Sequence, residues 1–134
     1  MLFEMVDFIN DSGNLGKNNF TKLRKEALVK QNELHQRMME VVKTSGLPGV
    51  GLVLQFYRKP AGNWSLRWRQ KIGGSYKYIT WQQADSITIE NMNLEMQNHF
   101  RELNNFAKEA NILDSMLQTI ITYCVKPYDK NLSK

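Results

Sequence analysis

Arg67, Arg69, Lys71 and Lys77 are the side chains whose type and spacing can do chemistry in this sequence. They fall with Arg58 and Lys59 in residues 51–81, a segment holding six basic side chains and no carboxylate. Seven basic residues meet six acidic ones before this segment, and five meet seven after it, so the segment's own +6 accounts for the chain's net charge of +5. A guanidinium donates paired hydrogen bonds to anionic oxygens, and an ammonium adds mobile positive charge. The expected chemistry is therefore polyanion binding, with Arg67, Arg69, Lys71 and Lys77 on phosphates and Arg58 and Lys59 at the sheet edge. Tyr57, or one of Tyr76 and Tyr78, adds stacking or sugar contacts. A two-stranded ribbon can enter the major groove of duplex DNA, but the pattern leaves duplex and single strand, DNA and RNA, open. Plain hydration of a basic sheet face, and contact with an acidic protein or a membrane, are the competing readings.

Catalytic patterns are not assembled. His35 and His99 are far apart and neither sits in an HExxH motif, and Cys124, the single cysteine, completes no paired-thiolate zinc site. Gly73-Gly74-Ser75 lacks the rest of a phosphate loop and closes a hairpin, and Gly49-Val50-Gly51 falls short of GxGxxG. Glu26, Glu33, Glu40, Glu90, Glu95 and Glu102 read as helix-surface acids. Ser86 and Cys124 would need an activating neighbour to act as nucleophiles, and Cys124 reads as a small buried residue. The expectation is a protein that is not an enzyme, with no catalytic residue, metal or cofactor.

These residues must be positioned by a sheet between helices. GVGLVLQFYRK, GNWSLRWRQK and SYKYITW predict three antiparallel strands over 51–58, 63–71 and 75–81. Pro60-Ala61-Gly62-Asn63 and Ile72-Gly73-Gly74-Ser75 supply the turns. Strand alternation puts Trp64, Leu66 and Trp68 on one face and Ser65, Arg67, Arg69 and Lys71 on the other. On the first strand Leu52, Leu54 and Phe56 oppose Val53, Gln55 and Tyr57. On the third, Tyr76 and Tyr78 oppose Lys77, Ile79 and Trp81, and the glycine turn is expected to bring Lys77 to the arginines. Trp64, Leu66, Trp68, Gly73 and Gly74 are structural in this reading.

Apolar spacing from Phe20 to Val41 predicts a helix over 18–45, ended by Gly46-Leu47-Pro48-Gly49. A second helical region spans 86–124, preceded by a possible short helix and connector over 1–17 at the other end of the chain and followed by a tail over 125–134. From Met92 to Cys124 the apolar positions alternate by four and three, a heptad-like seam that would be about 50 Å long as one helix. It either stays continuous or breaks near Asn111. Its residues serve an intramolecular helical layer or a homodimer, with Leu103, Phe106, Leu113, Leu117 and Ile120 as candidate oligomerisation residues. The fold class expected is a single α+β domain over 1–134, a β-meander flanked by helices.

MLFEMVDFINDSG has no basic n-region, and no run of about 18 apolar residues supplies a transmembrane helix, so a cytoplasmic location is expected. GLVLQFYRK, NWSLRWRQK and the long helical tail resemble a family of small accessory proteins of integrative and conjugative elements, some described as integrase regulators. The resemblance covers residues 18–124, and the strand Leu66-Arg67-Trp68-Arg69 is its usable match, with no catalytic duty attached. It implies a regulatory role in mobile-element maintenance. The leading expectation is a non-catalytic nucleic-acid-binding accessory protein. The alternative is an interaction or assembly module whose basic sheet takes an acidic protein.

Overall fold

The computed structural model describes residues 17–60 and 62–132, with side chains over 19–60 and 62–124. The order of elements is α1 (Lys17–Lys43), β1 (Leu52–Arg58), β2 (Trp64–Ile72), β3 (Ser75–Tyr78), α2 (Trp81–Asn91) and α3 (Leu94–Leu132). This is the expected α+β arrangement, a three-stranded antiparallel sheet in the order β1-β2-β3 flanked by a long N-terminal helix and a C-terminal helical region. The short helix and connector expected over 1–17 lie outside the described residues, except that Lys17 begins α1.

α1 forms because Ala27, Leu34 and Met38 recur on one helical face, and all three are buried. Its end is tied to the sheet by Ser45, whose hydroxyl donates to the Val42 carbonyl at 2.8 Å and accepts from the Leu54 amide at 3.0 Å. The chain then reverses through an isolated bridge between Leu47 and Leu52. Gly51 sits there at φ 67°, and a Cβ on it would lie 3.2 Å from the Lys71 carbonyl oxygen, so both conformation and space call for glycine.

Gly73 and Gly74 both have positive φ, 56° and 89°, and Ile72 pairs with Ser75 across them. This is the two-residue hairpin that matches strand twist. β3 ends at Tyr78, not at Trp81 as the alternation suggested. The reason is local: Thr80 accepts from the Gln83 amide at 3.1 Å while Gln83 accepts from the Thr80 amide at 2.8 Å. That reciprocal capping box starts α2 at Trp81, five residues before the expected helical region.

The helices break at Met92-Asn93, and α3 runs unbroken through Asn111. It continues to Leu132 where a tail was expected from residue 125. At the usual helical rise its 39 residues span about 58 Å. The core lies between α1, the inner sheet face and α3, around Leu52, Leu54, Leu66, Trp68, Phe100 and Leu117. No described helix is long and apolar enough to cross a membrane.

Candidate nucleic-acid interface

Strand register decides which side chains share a surface. Tyr57 pairs with Ser65, Gln55 with Arg67 and Val53 with Arg69, while Arg69 also pairs with Tyr78 and Lys71 with Tyr76. Directly opposed residues in an antiparallel pair point to one face. The outer face therefore carries Tyr57, Arg67, Tyr78, Arg69, Tyr76 and Lys71, while Leu52, Leu54, Leu66 and Trp68 of the inner face are at most 1% exposed.

These outer side chains interleave. The Arg67 guanidinium lies 4.7 Å from the Tyr57 ring centre and 4.3 Å from that of Tyr78. Arg69 lies 4.7 Å from Tyr76 and 5.6 Å from Tyr78, and its Nη1 donates to Gln55 Oε1. The Lys71 ammonium approaches Tyr76 at 5.9 Å. Tyr57 and Tyr78 meet edge to face at 6.0 Å. Attraction between each cation and a ring quadrupole holds the arginine stems extended across the sheet, where they are half-buried, while Tyr76 and Tyr78 remain 46% and 45% exposed. A guanidinium held against a ring can still offer N–H groups at its edge to an anion, although Arg69 already commits Nη1 to Gln55.

The six cations read from the sequence do not form one surface. Lys77 pairs with Gln70, which puts it on the face opposite Arg67 and Arg69, and Tyr76 and Tyr78 take the positions beside the arginines. Arg58 pairs with Trp64 and so shares the inner-face side, its guanidinium 5.9 Å from the indole. Lys59 leads into the β1–β2 loop, where its amide donates to the Asn63 carbonyl at 2.8 Å, and it borders an open groove with Thr119 and Tyr123 of α3. At the usual strand rise, that end of the sheet is about 23 Å from Lys71 along β2.

β2 pairs with β3 only from Arg69 to Ile72, so its first half has an edge that no strand covers. α3 covers it. Asn111 accepts from the Leu66 amide at 2.7 Å and donates to the Leu66 carbonyl at 2.9 Å, doing with one side chain what a neighbouring strand would do. Asp114 accepts from the Trp64 amide at 2.9 Å, and Asn104 accepts from the Trp68 indole at 2.9 Å. Asp114 is fully buried, and its other oxygen lies 2.5 Å from His35 Nε2 of α1. The His35 ring in turn abuts the stacked pair Phe56 and Trp64. His35, which the sequence places in no metal motif, thus joins α1, β2 and α3. Trp68 is buried in the core, and Trp64 is half-buried against Phe56.

The heptad-like seam is used within the chain. Of the five candidate oligomerisation residues, Leu103, Leu113 and Leu117 are buried in the core, and Phe106 and Ile120 pack against it while partly buried. His99 is exposed. Cys124 is 4% exposed, and burial pushes its thiol pKa up against a smaller opposing pull from the Arg24 charge. Its contribution to stability is fully present below the ordinary thiol pKa and is lost as pH rises through the raised one. Iodoacetamide is accordingly expected to alkylate Cys124 at least about tenfold more slowly in the native protein than in denaturant. Equal rates would show that the last turns of this face open freely.

Among the described residues no group of three or more His, Cys, Asp or Glu side chains is placed to hold a metal ion. Comparisons with protein-family models, with curated proteins and with solved structures found no match. The candidate site is therefore described by its own geometry: an open sheet face of interleaved tyrosines and cations, with helices packed on the other side.

Proposed function

We propose that this protein is a non-catalytic nucleic-acid-binding accessory protein whose contact surface is the outer face of the sheet. The observation that carries this reading is the seating of Arg67 and Arg69 against Tyr57, Tyr76 and Tyr78 on strands that contain no carboxylate. An arginine paired with an internal acid has its hydrogen-bonding edge occupied, whereas these arginines lack any such acid on their own sheet. Holding their stems in place beforehand lowers the entropy lost when they meet phosphates. The tyrosine hydroxyls beside them add donors of the kind that contact sugar and phosphate. A role in mobile-element maintenance or regulation is proposed from the sequence resemblance.

Fluorescence anisotropy against labelled DNA and RNA at several salt concentrations tests the reading. Binding is expected at low salt, with log affinity falling linearly against log salt because phosphate-bound counterions are released. Failure to bind any of these at low salt, with tight binding to an acidic protein instead, would replace nucleic acid with that partner.

A further inference from the structure

We infer that the nucleic acid is double-helical B-form DNA and that the β2–β3 hairpin from Arg69 to Tyr78 enters its major groove as a two-stranded ribbon. This rests on the nucleic-acid reading above and narrows it to one form of ligand. The first observation is the ribbon's freedom: every residue from Lys71 to Tyr78 is exposed, although the same two strands present opposite faces. The helices that bury the inner face at Leu66 and Trp68 do not reach this end. Strands in a pair lie about 4.8 Å apart, so a two-stranded ribbon with its side chains suits a groove about 12 Å wide.

The second observation is the placement of charge. Lys71 lies on the outer face and Lys77 on the inner, one pair apart along the ribbon. A single strand laid on the outer face would leave Lys77 pointing away from it. A duplex groove has phosphates along both walls, so cations on both faces of an inserted ribbon find partners. Ile72, 53% exposed at the tip on the inner side, is the kind of apolar group that meets a thymine methyl on the groove floor.

The third observation concerns the tyrosines. Sequence-tolerant single-strand binding uses open aromatic faces on which bases stack. Here Tyr57, Tyr76 and Tyr78 are each approached by at least one guanidinium, and Tyr78 by two. They act as positioning residues that hold Arg67 and Arg69, whose N–H edges then address phosphates or guanine O6 and N7. An RNA duplex fits this arrangement poorly, because the A-form major groove is deep and too narrow for side chains to read.

The test measures affinity of the full chain for a short DNA duplex, for each of its strands alone and for an RNA duplex of the same sequence. The DNA duplex is expected to bind at least about tenfold more tightly than the others. Lys77→Ala should weaken duplex binding roughly three- to tenfold and make the salt slope shallower by about one. Tyr78→Phe, which keeps the ring and gives up only the hydroxyl, should lose clearly less affinity than Tyr78→Leu, which removes the ring and should keep the fold. A single strand or RNA duplex that binds as tightly as the DNA duplex overturns the inference and leaves the broader reading standing. So does a folded Lys77→Ala variant with unchanged affinity and slope. Absence of binding to every probe overturns both.

Discussion

Asp114→Ala is expected to destabilise the fold by about 3 kcal/mol or more. The carboxylate is fully buried and serves two partners from other elements, His35 of α1 and the Trp64 amide of β2. Removing it leaves a backbone donor and an imidazole nitrogen without their acceptor in a region closed by Phe56 and Trp64. Asp114→Asn should cost roughly 1 kcal/mol. Its oxygen can still accept from Trp64, and its amide can donate to the other tautomer of His35. Thermal denaturation measures the difference: a fall in melting temperature of roughly 10 °C or more for Ala and a few degrees for Asn. Equal, small shifts for both variants would show that water reaches the site and replaces the carboxylate. A double-mutant cycle with His35→Leu isolates the pair, and a coupling near zero would mean that the Trp64 bond alone holds Asp114 in place.

Arg67→Gln with Arg69→Gln is expected to weaken nucleic-acid binding at low salt at least about thirtyfold and to reduce the salt slope by about two. Glutamine keeps much of the stem that packs on the tyrosines but removes the charge, so the loss is read in binding more than in folding. Each replacement also forfeits its cation–π contacts, costing about 1 kcal/mol at such partly exposed positions. The double variant should therefore retain its circular dichroism spectrum and a cooperative unfolding transition. A folded double variant with parental affinity and salt slope would remove the outer face from the interface. An affinity loss with the slope unchanged would point to shape or stacking in place of phosphate contact.

The alternation in GNWSLRWRQK is sufficient to separate Trp64, Leu66 and Trp68 from Arg67, Arg69 and Lys71, because neighbouring side chains on a strand point to opposite faces. It is not sufficient for Lys77. That position depends on pairing across the turn, and the pairing could have been worked out: a two-residue loop at Gly73-Gly74 sets Ile72 opposite Ser75, hence Lys71 opposite Tyr76 and Gln70 opposite Lys77. The same counting brings Tyr76 and Tyr78, and not Lys77, beside the arginines. Thr80-Trp81-Gln82-Gln83 likewise carried a capping-box signature, masked by the β-like run of aromatic and branched residues before it.

The support beneath the site was less legible. Asn111 reads locally as a weak point in a helix, since asparagine is a modest helix former. Its value comes from meeting Leu66, 45 residues earlier, with both a donor and an acceptor. His35 and Asp114, separated by 79 positions, give no local sign of each other. Periodicity reports which face of an element is apolar. It carries no information about which polar side chain will complete the hydrogen bonding of a distant strand.

The use of α3 in place of another strand also bears on how the protein is made. Synthesis from the N-terminus yields the whole β-meander before the helix that closes it. Until Asn111 and Asp114 arrive, the backbone of β2 from Trp64 to Leu66 is an open template, and such an edge recruits other strands. Chains interrupted near Asn91 would therefore tend to aggregate by pairing through β2, and the late docking of one long helix is the step that makes the newborn chain safe in company.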